Sequence, residues 1–180
     1  MSDVNFDGLP KIKETPKARV QAISYAINQY LSEMHLTSIV RTKFDDGTVL
    51  ISASIHASDM SLQVDTYVAE NPLSIRITVL LPVTCFPQYS LLVDEYITNF
   101  NYNKRFGVLK RLDRAVEYEH TFCGTRTFSI YDYGLYLIAC LYSATEASPE
   151  LAKICVGKFS KAKIAESFDK ISTLINALND

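Results

Sequence analysis

Tryptophan is missing from this chain of 180 residues, and glycine occurs only six times. So few glycines leave little room for phosphate-cradling loops, and neither a Walker loop nor a dinucleotide fingerprint is present. A G-x-S-x-G nucleophile elbow is also absent. No apolar run reaches the roughly 18 residues that a membrane-spanning helix needs, so no membrane association is expected. The opening residues, MSDVNFDGLPKIKETP, are polar and lack the apolar centre of a signal peptide, which points to a cytoplasmic address. Charge of one sign is lacking too. Eighteen basic and 20 acidic side chains leave a net charge of −2, which offers no footprint for nucleic acid.

Cys85, Cys123, Cys140 and Cys155 stand singly in apolar surroundings, without the C-x-x-C spacing of zinc or thiol-exchange sites. They read as small buried hydrophobes. His35, His56 and His120 are far apart, and none has a neighbour at helical ligand spacing. Neither a metal nor a cofactor is expected.

What is present is an ordinary globular composition, 48% hydrophobic and 21% charged, at a length that suits a single domain. Residues 1–14 carry few apolar anchors and read as a loosely held segment. Thr15-Pro16 is a helix start, with Thr15 as N-cap and Pro16 at the first helical position. Val20, Ile23, Ile27, Tyr30, Leu31 and Met34 then form one apolar stripe. From Leu36 the period changes to two, with turns at Asp45-Asp46-Gly47 and Glu70-Asn71-Pro72, which predicts a meander of three or four antiparallel strands. Pro87 opens a second helix along Tyr89, Leu92, Val93, Tyr96, Ile97 and Phe100. Two alternating runs follow, about 106–112 and 115–123, joined near Asp113-Arg114. Residues 131–144, YDYGLYLIACLYSA, are apolar around most of a helical circumference and must be covered on more than one side.

Pro149 reads as restarting the chain after Ser148, and Ile164, Phe168, Ile171, Ile175 and Leu178 then form a short heptad-like seam. The expected architecture is α+β, an antiparallel sheet of about five strands with helices on one face. Residues 15–146 form its core, and 149–180 a C-terminal helical extension.

Side chains suited to chemistry are sparse. Asp45-Asp46 belongs to a turn, and Glu117 with Glu119 reads as a solvated strand face. Lys104-Arg105 and Lys110-Arg111 make a small basic cluster with aromatic neighbours, best read as a solvated turn. In NFNYNKRFG, residues 99–107, Asn101 and Asn103 fall where the last helical carbonyls lack partners. They are expected to build a structural corner, with asparagine closing the helix in the left-handed conformation. Eleven tyrosines are the other unusual feature. Tyrosine suits positions with one wet end, so Tyr131, Tyr133, Tyr136, Leu137, Leu141 and Tyr142 form a candidate interaction surface.

The stretch YITNFNYNKRFGVLKRLDRAVEYEHTF, entered from ENPLSIRITVLLPV, resembles the YbjN family of bacterial sensory-transduction regulators. That family shares the type III secretion chaperone-like fold, and the resemblance spans about residues 15–145. It implies a small α+β domain that dimerises, and proteins of this fold bind extended segments of partner polypeptides. The expected function is therefore a non-enzymatic, homodimeric protein-interaction module, chaperone-like or a regulatory adaptor. The alternative is a small-molecule-binding or enzymatic domain with a pocket between sheet and helices, near Asn101, Asn103 and His120.

Overall fold

A computed structural model describes residues 15–155, apart from residues 35, 58, 59, 105 and 124–127. The expectations for segment 1–14, His35, Arg105 and the seam from Ile164 to Leu178 lie outside the described residues. So do the side chains of His56 and Cys123.

The chain opens with helix α1, Pro16–Glu33, capped where the Ala18 amide donates to Thr15 Oγ1 at 3.3 Å. Strands β1 (Thr37–Lys43), β2 (Val49–Ala57), β3 (Met60–Glu70) and β4 (Leu73–Leu80) form the meander. One 3₁₀ turn at Pro87–Tyr89 leads into α2, Ser90–Tyr102. The hairpin β5 (Val108–Leu112) and β6 (Ala115–Cys123) and the long helix α3, Ile130–Ile154, complete the order. The sheet has six strands rather than about five, all antiparallel, in the order β1-β2-β3-β4-β6-β5.

Strand alternation sorts side chains between two faces. On one face the register aligns Ile51, Thr66, Ile77 and His120 across four strands, and beside them Ala53, Val64, Val79, Tyr118 and Leu109. All but His120 are buried. Helix α1 covers β1 to β3, α3 covers β4 and β6, and α2 packs against β5 and α3. Burying one such aliphatic side chain is worth about 1.5–3 kcal/mol, so these rows dominate the stability of the fold.

The structure decides two points about α3. The helix runs on through Pro149 to Ile154 instead of restarting there. Pro149 cannot donate to the Thr145 carbonyl. Nearby, the Ser148 hydroxyl donates to Ala144 O at 2.7 Å and Thr145 Oγ1 to Leu141 O at 2.8 Å. Ala147, Ser148 and Leu151 are buried on both sides of the proline, so packing carries the helix across it. Secondly, α3 is over-apolar because its own chain covers it with sheet, α1 and α2. At Gly134 the approach is close enough that a Cβ would stand 2.5 Å from the Tyr30 hydroxyl.

Candidate interaction surface

The six residues of the proposed interaction surface divide around α3. Tyr133, Leu137 and Leu141 are buried and belong to the core, not to a surface. Tyr133 packs edge-on against Tyr30, with ring centroids 5.9 Å apart, and its hydroxyl lies 2.9 Å from Thr66 Oγ1. That hydroxyl pair satisfies two polar groups at the centre of the core, and burial holds the Tyr133 phenol far above its ordinary titration range. Tyr136 is half-buried in an aromatic stack. Its ring lies 4.6 Å from Phe122, 5.1 Å from His120 and 5.7 Å from Phe106. His120 stacks on Phe106 at 3.8 Å, and burial among these rings lowers its pKa.

Tyr131 and Tyr142 remain on the outside, 62% and 48% exposed. Between them the sequence stripe omitted Leu135, which is 47% exposed, and the half-buried Ile138. Positions 131, 135, 138 and 142 step by four, three and four, so they share one face of α3, turned away from Tyr133, Leu137 and Leu141. Four apolar side chains at that spacing make a short seam suited to another helix. The spacing could have been read from the sequence. Which of the two stripes faced inward could not.

The corner at NFNYNKRFG is built by side-chain amides. Asn101 Nδ2 donates to Leu109 O at 2.9 Å, while the Leu109 amide donates to Asn101 Oδ1 at 2.7 Å. The side chain thus occupies both outward backbone groups of one residue on the edge strand β5, as a neighbouring strand would. Asn103 Nδ2 donates to Asn99 O at 3.1 Å, satisfying a terminal helix carbonyl. Asn103 itself keeps φ −93°, so the left-handed closure expected of it does not occur. The positive φ falls on Gly107 at +62°, where the Tyr118 hydroxyl bonds the neighbouring Phe106 carbonyl and a Cβ would meet Tyr118 Oη at 2.7 Å.

The three described cations of the basic cluster are paired rather than free. Lys104 pairs with Glu146, Lys110 with Glu119 at 2.7 Å, and Arg111 with Asp94 at 2.7 Å. Hydrogen bonding to Arg111 holds the Asp94 carboxyl below its usual range. The Glu117/Glu119 face is partly enclosed as well. Burial first, and then the Glu119 charge, raise the Glu117 pKa, while Arg76 stands 3.9 Å from Glu119 and 4.2 Å over the Tyr67 ring.

Arg76, Tyr67 and Glu119 line an open depression of about 420 Å³, together with Phe44, Asp46, Thr48, Ala69, Ser74 and Thr121. It lies on the face opposite the helices, and none of Asn101, Asn103 and His120 lines it. Those three residues are held in the corner and the aromatic stack instead. Sequence reading missed the depression because one wall, Glu119 and Thr121, is set beside the meander only by the β4–β6 pairing.

Among the described residues, no group of three or more His, Cys, Asp or Glu side chains is arranged to hold a metal ion. No described helix is long and apolar enough to cross a membrane. In the comparisons with known proteins, no family model, curated protein or solved structure matches the chain.

Proposed function

We propose that this chain is a non-enzymatic protein-interaction module, chaperone-like or a regulatory adaptor, that pairs as a homodimer and binds a partner polypeptide. The observation that carries this reading is the outer stripe of α3, with Tyr131, Leu135 and Tyr142 about half exposed or more. Single exposed apolar side chains are ordinary, but three in helical register, with the half-buried Ile138 among them, form a contiguous strip that water solvates poorly. Tyrosine at both ends suits an interface, because its ring buries area and its hydroxyl can hydrogen-bond. The resemblance to the YbjN family supports the same reading.

Light scattering at high micromolar concentration tests the dimer. Twice the chain mass is expected, and a strictly monomeric species contradicts it. Titration of a panel of labelled unstructured peptides, followed by fluorescence anisotropy, tests the polypeptide-binding half. Saturable binding of a subset is expected, and a flat response across the panel contradicts it.

A second reading, a small-molecule site, is favoured by the open-face depression alone. There one guanidinium, two aromatic rings, two carboxylates and several hydroxyls converge. It predicts a ligand-induced stabilisation lost in Arg76→Ala, which the interaction-module reading does not.

A further inference from the structure

Cys85 and Cys155 are 70 positions apart in the chain, yet their sulfurs stand 2.9 Å from each other. Both are free thiols, 2% and 3% exposed. A disulfide spans about 2.05 Å, so less than about 1 Å of approach separates this pair from a bond. Both backbones are anchored by hydrogen bonds close to the sulfurs. The Cys85 amide is held by Arg114 O at 2.8 Å, in the connection between β4 and α2, and the Cys155 amide by Leu151 O at 2.7 Å. Cys140 provides the contrast: it is equally buried, at mid-helix in α3.

We propose that Cys85 and Cys155 form an oxidisable dithiol, a modification site whose co-substrate is a low-molecular-weight disulfide. One cysteine thiolate attacks the small disulfide, forming a mixed disulfide and expelling one small thiolate. The second cysteine thiolate then attacks the protein sulfur of that adduct, closing the Cys85–Cys155 bond and expelling the other small thiolate. Two protein thiols lose two protons and two electrons, and the small disulfide is reduced to two thiols.

Position sets the order of events. Cys155 is the C-cap of α3, where the chain leaves the helix in an extended conformation. Helix ends open at lower free energy than their middles, so the last turn is the route by which reagent reaches the pair. Burial, reinforced by the neighbouring Cys85, pushes the Cys155 thiol up to about 12. Attack therefore waits on opening, since the thiolate is the nucleophile. Once closed, the bond ties the end of α3 to the strap after β4. It constrains the intervening loop in the unfolded chain. The site is independent of the outer stripe of α3.

The test incubates the full chain with oxidised glutathione, then alkylates remaining thiols under denaturing conditions and maps the peptides by mass spectrometry. A linked peptide pair joining Cys85 to Cys155 within one chain is expected. The melting temperature should rise by roughly 5–10 °C over the reduced protein. Cys85→Ser should lose both the link and the rise, whereas Cys140→Ala should keep both. Free, alkylated Cys85 and Cys155 after oxidation would overturn the proposal. So would a dominant link to Cys123 or Cys140, or one between chains; mapping of the wild-type protein decides this even if a variant folds poorly.

Discussion

The two faces of the sheet are made by the same strands, residue by residue, yet they are built on different physics. Toward the helices, β2, β3, β4 and β6 present Ile51, Thr66, Ile77 and His120 in one row, closed off from water except at its His120 end. Away from the helices the next row reads Leu50, Tyr67, Arg76 and Thr121, and beyond it lie Asp65, Thr78 and Glu119. The first face is held by area removed from water. The second is held by ion pairs and a cation–π contact whose cationic ends stay in reach of solvent, each worth about 1 kcal/mol or less. Stability is thus concentrated on the covered face, and the open face can change its chemistry at little cost to the fold.

Adjacent residues on β4 give the sharpest break of that comparison. Ile77→Ala should cost about 3–4 kcal/mol through lost transfer energy and a cavity. Its neighbour Arg76→Ala should cost under about 1 kcal/mol. Urea denaturation of both variants checks this, and similar losses would mean that the open face is as structural as the covered one. Next comes the polar pair inside the covered face. Tyr133→Phe and Thr66→Val should each cost about 1–2 kcal/mol by stranding a buried hydroxyl, while the double variant should cost clearly less than their sum. Additive losses in the same assay would contradict a hydrogen-bonded pair.

At the sheet's edge, Asn101→Ala should cost about 1–2 kcal/mol, because it removes the partner of two backbone groups of Leu109. Asn103→Ala, whose one bond is exposed, should cost less. The reverse order in melting experiments would show that the corner is held elsewhere. The smallest effect concerns His120 in its aromatic stack. Its folded pKa is lowered by burial, so the unfolded chain takes up the proton first as pH falls. Its contribution is therefore present above about pH 6.5 and lost as pH falls through the folded value. His120→Phe should flatten that part of the stability–pH curve, and an unchanged curve would remove His120 as its source.

How much could be read in advance follows the range of the interactions involved. The strands of the meander were legible because period two in Val49, Ile51, Ala53 and Ile55 is a local signal of a half-covered sheet. The start of α1 was legible at Thr15-Pro16 for the same reason. Pro149 misled because its local rule was overridden by the buried residues on either side, Ser148 and Leu151. The inner and outer stripes of α3 are both apolar, and only packing against α1 and β4 decides that Tyr133 goes in and Leu135 stays out. Arg76 and Glu119 meet through a pairing that crosses α2 and β5, a register no spacing along the chain encodes.

The sorting of α3 is the centre of the account: its inner stripe builds the domain, and its outer stripe is the surface proposed to join two copies of it. Sedimentation velocity on the wild-type protein and on Leu135→Glu, at matched high micromolar concentration, tests it most directly. The account predicts a wild-type dimer and a Leu135→Glu monomer with essentially unchanged melting, since Leu135 lies outside the core. A wild-type monomer, or a dimer that survives Leu135→Glu intact, would contradict it.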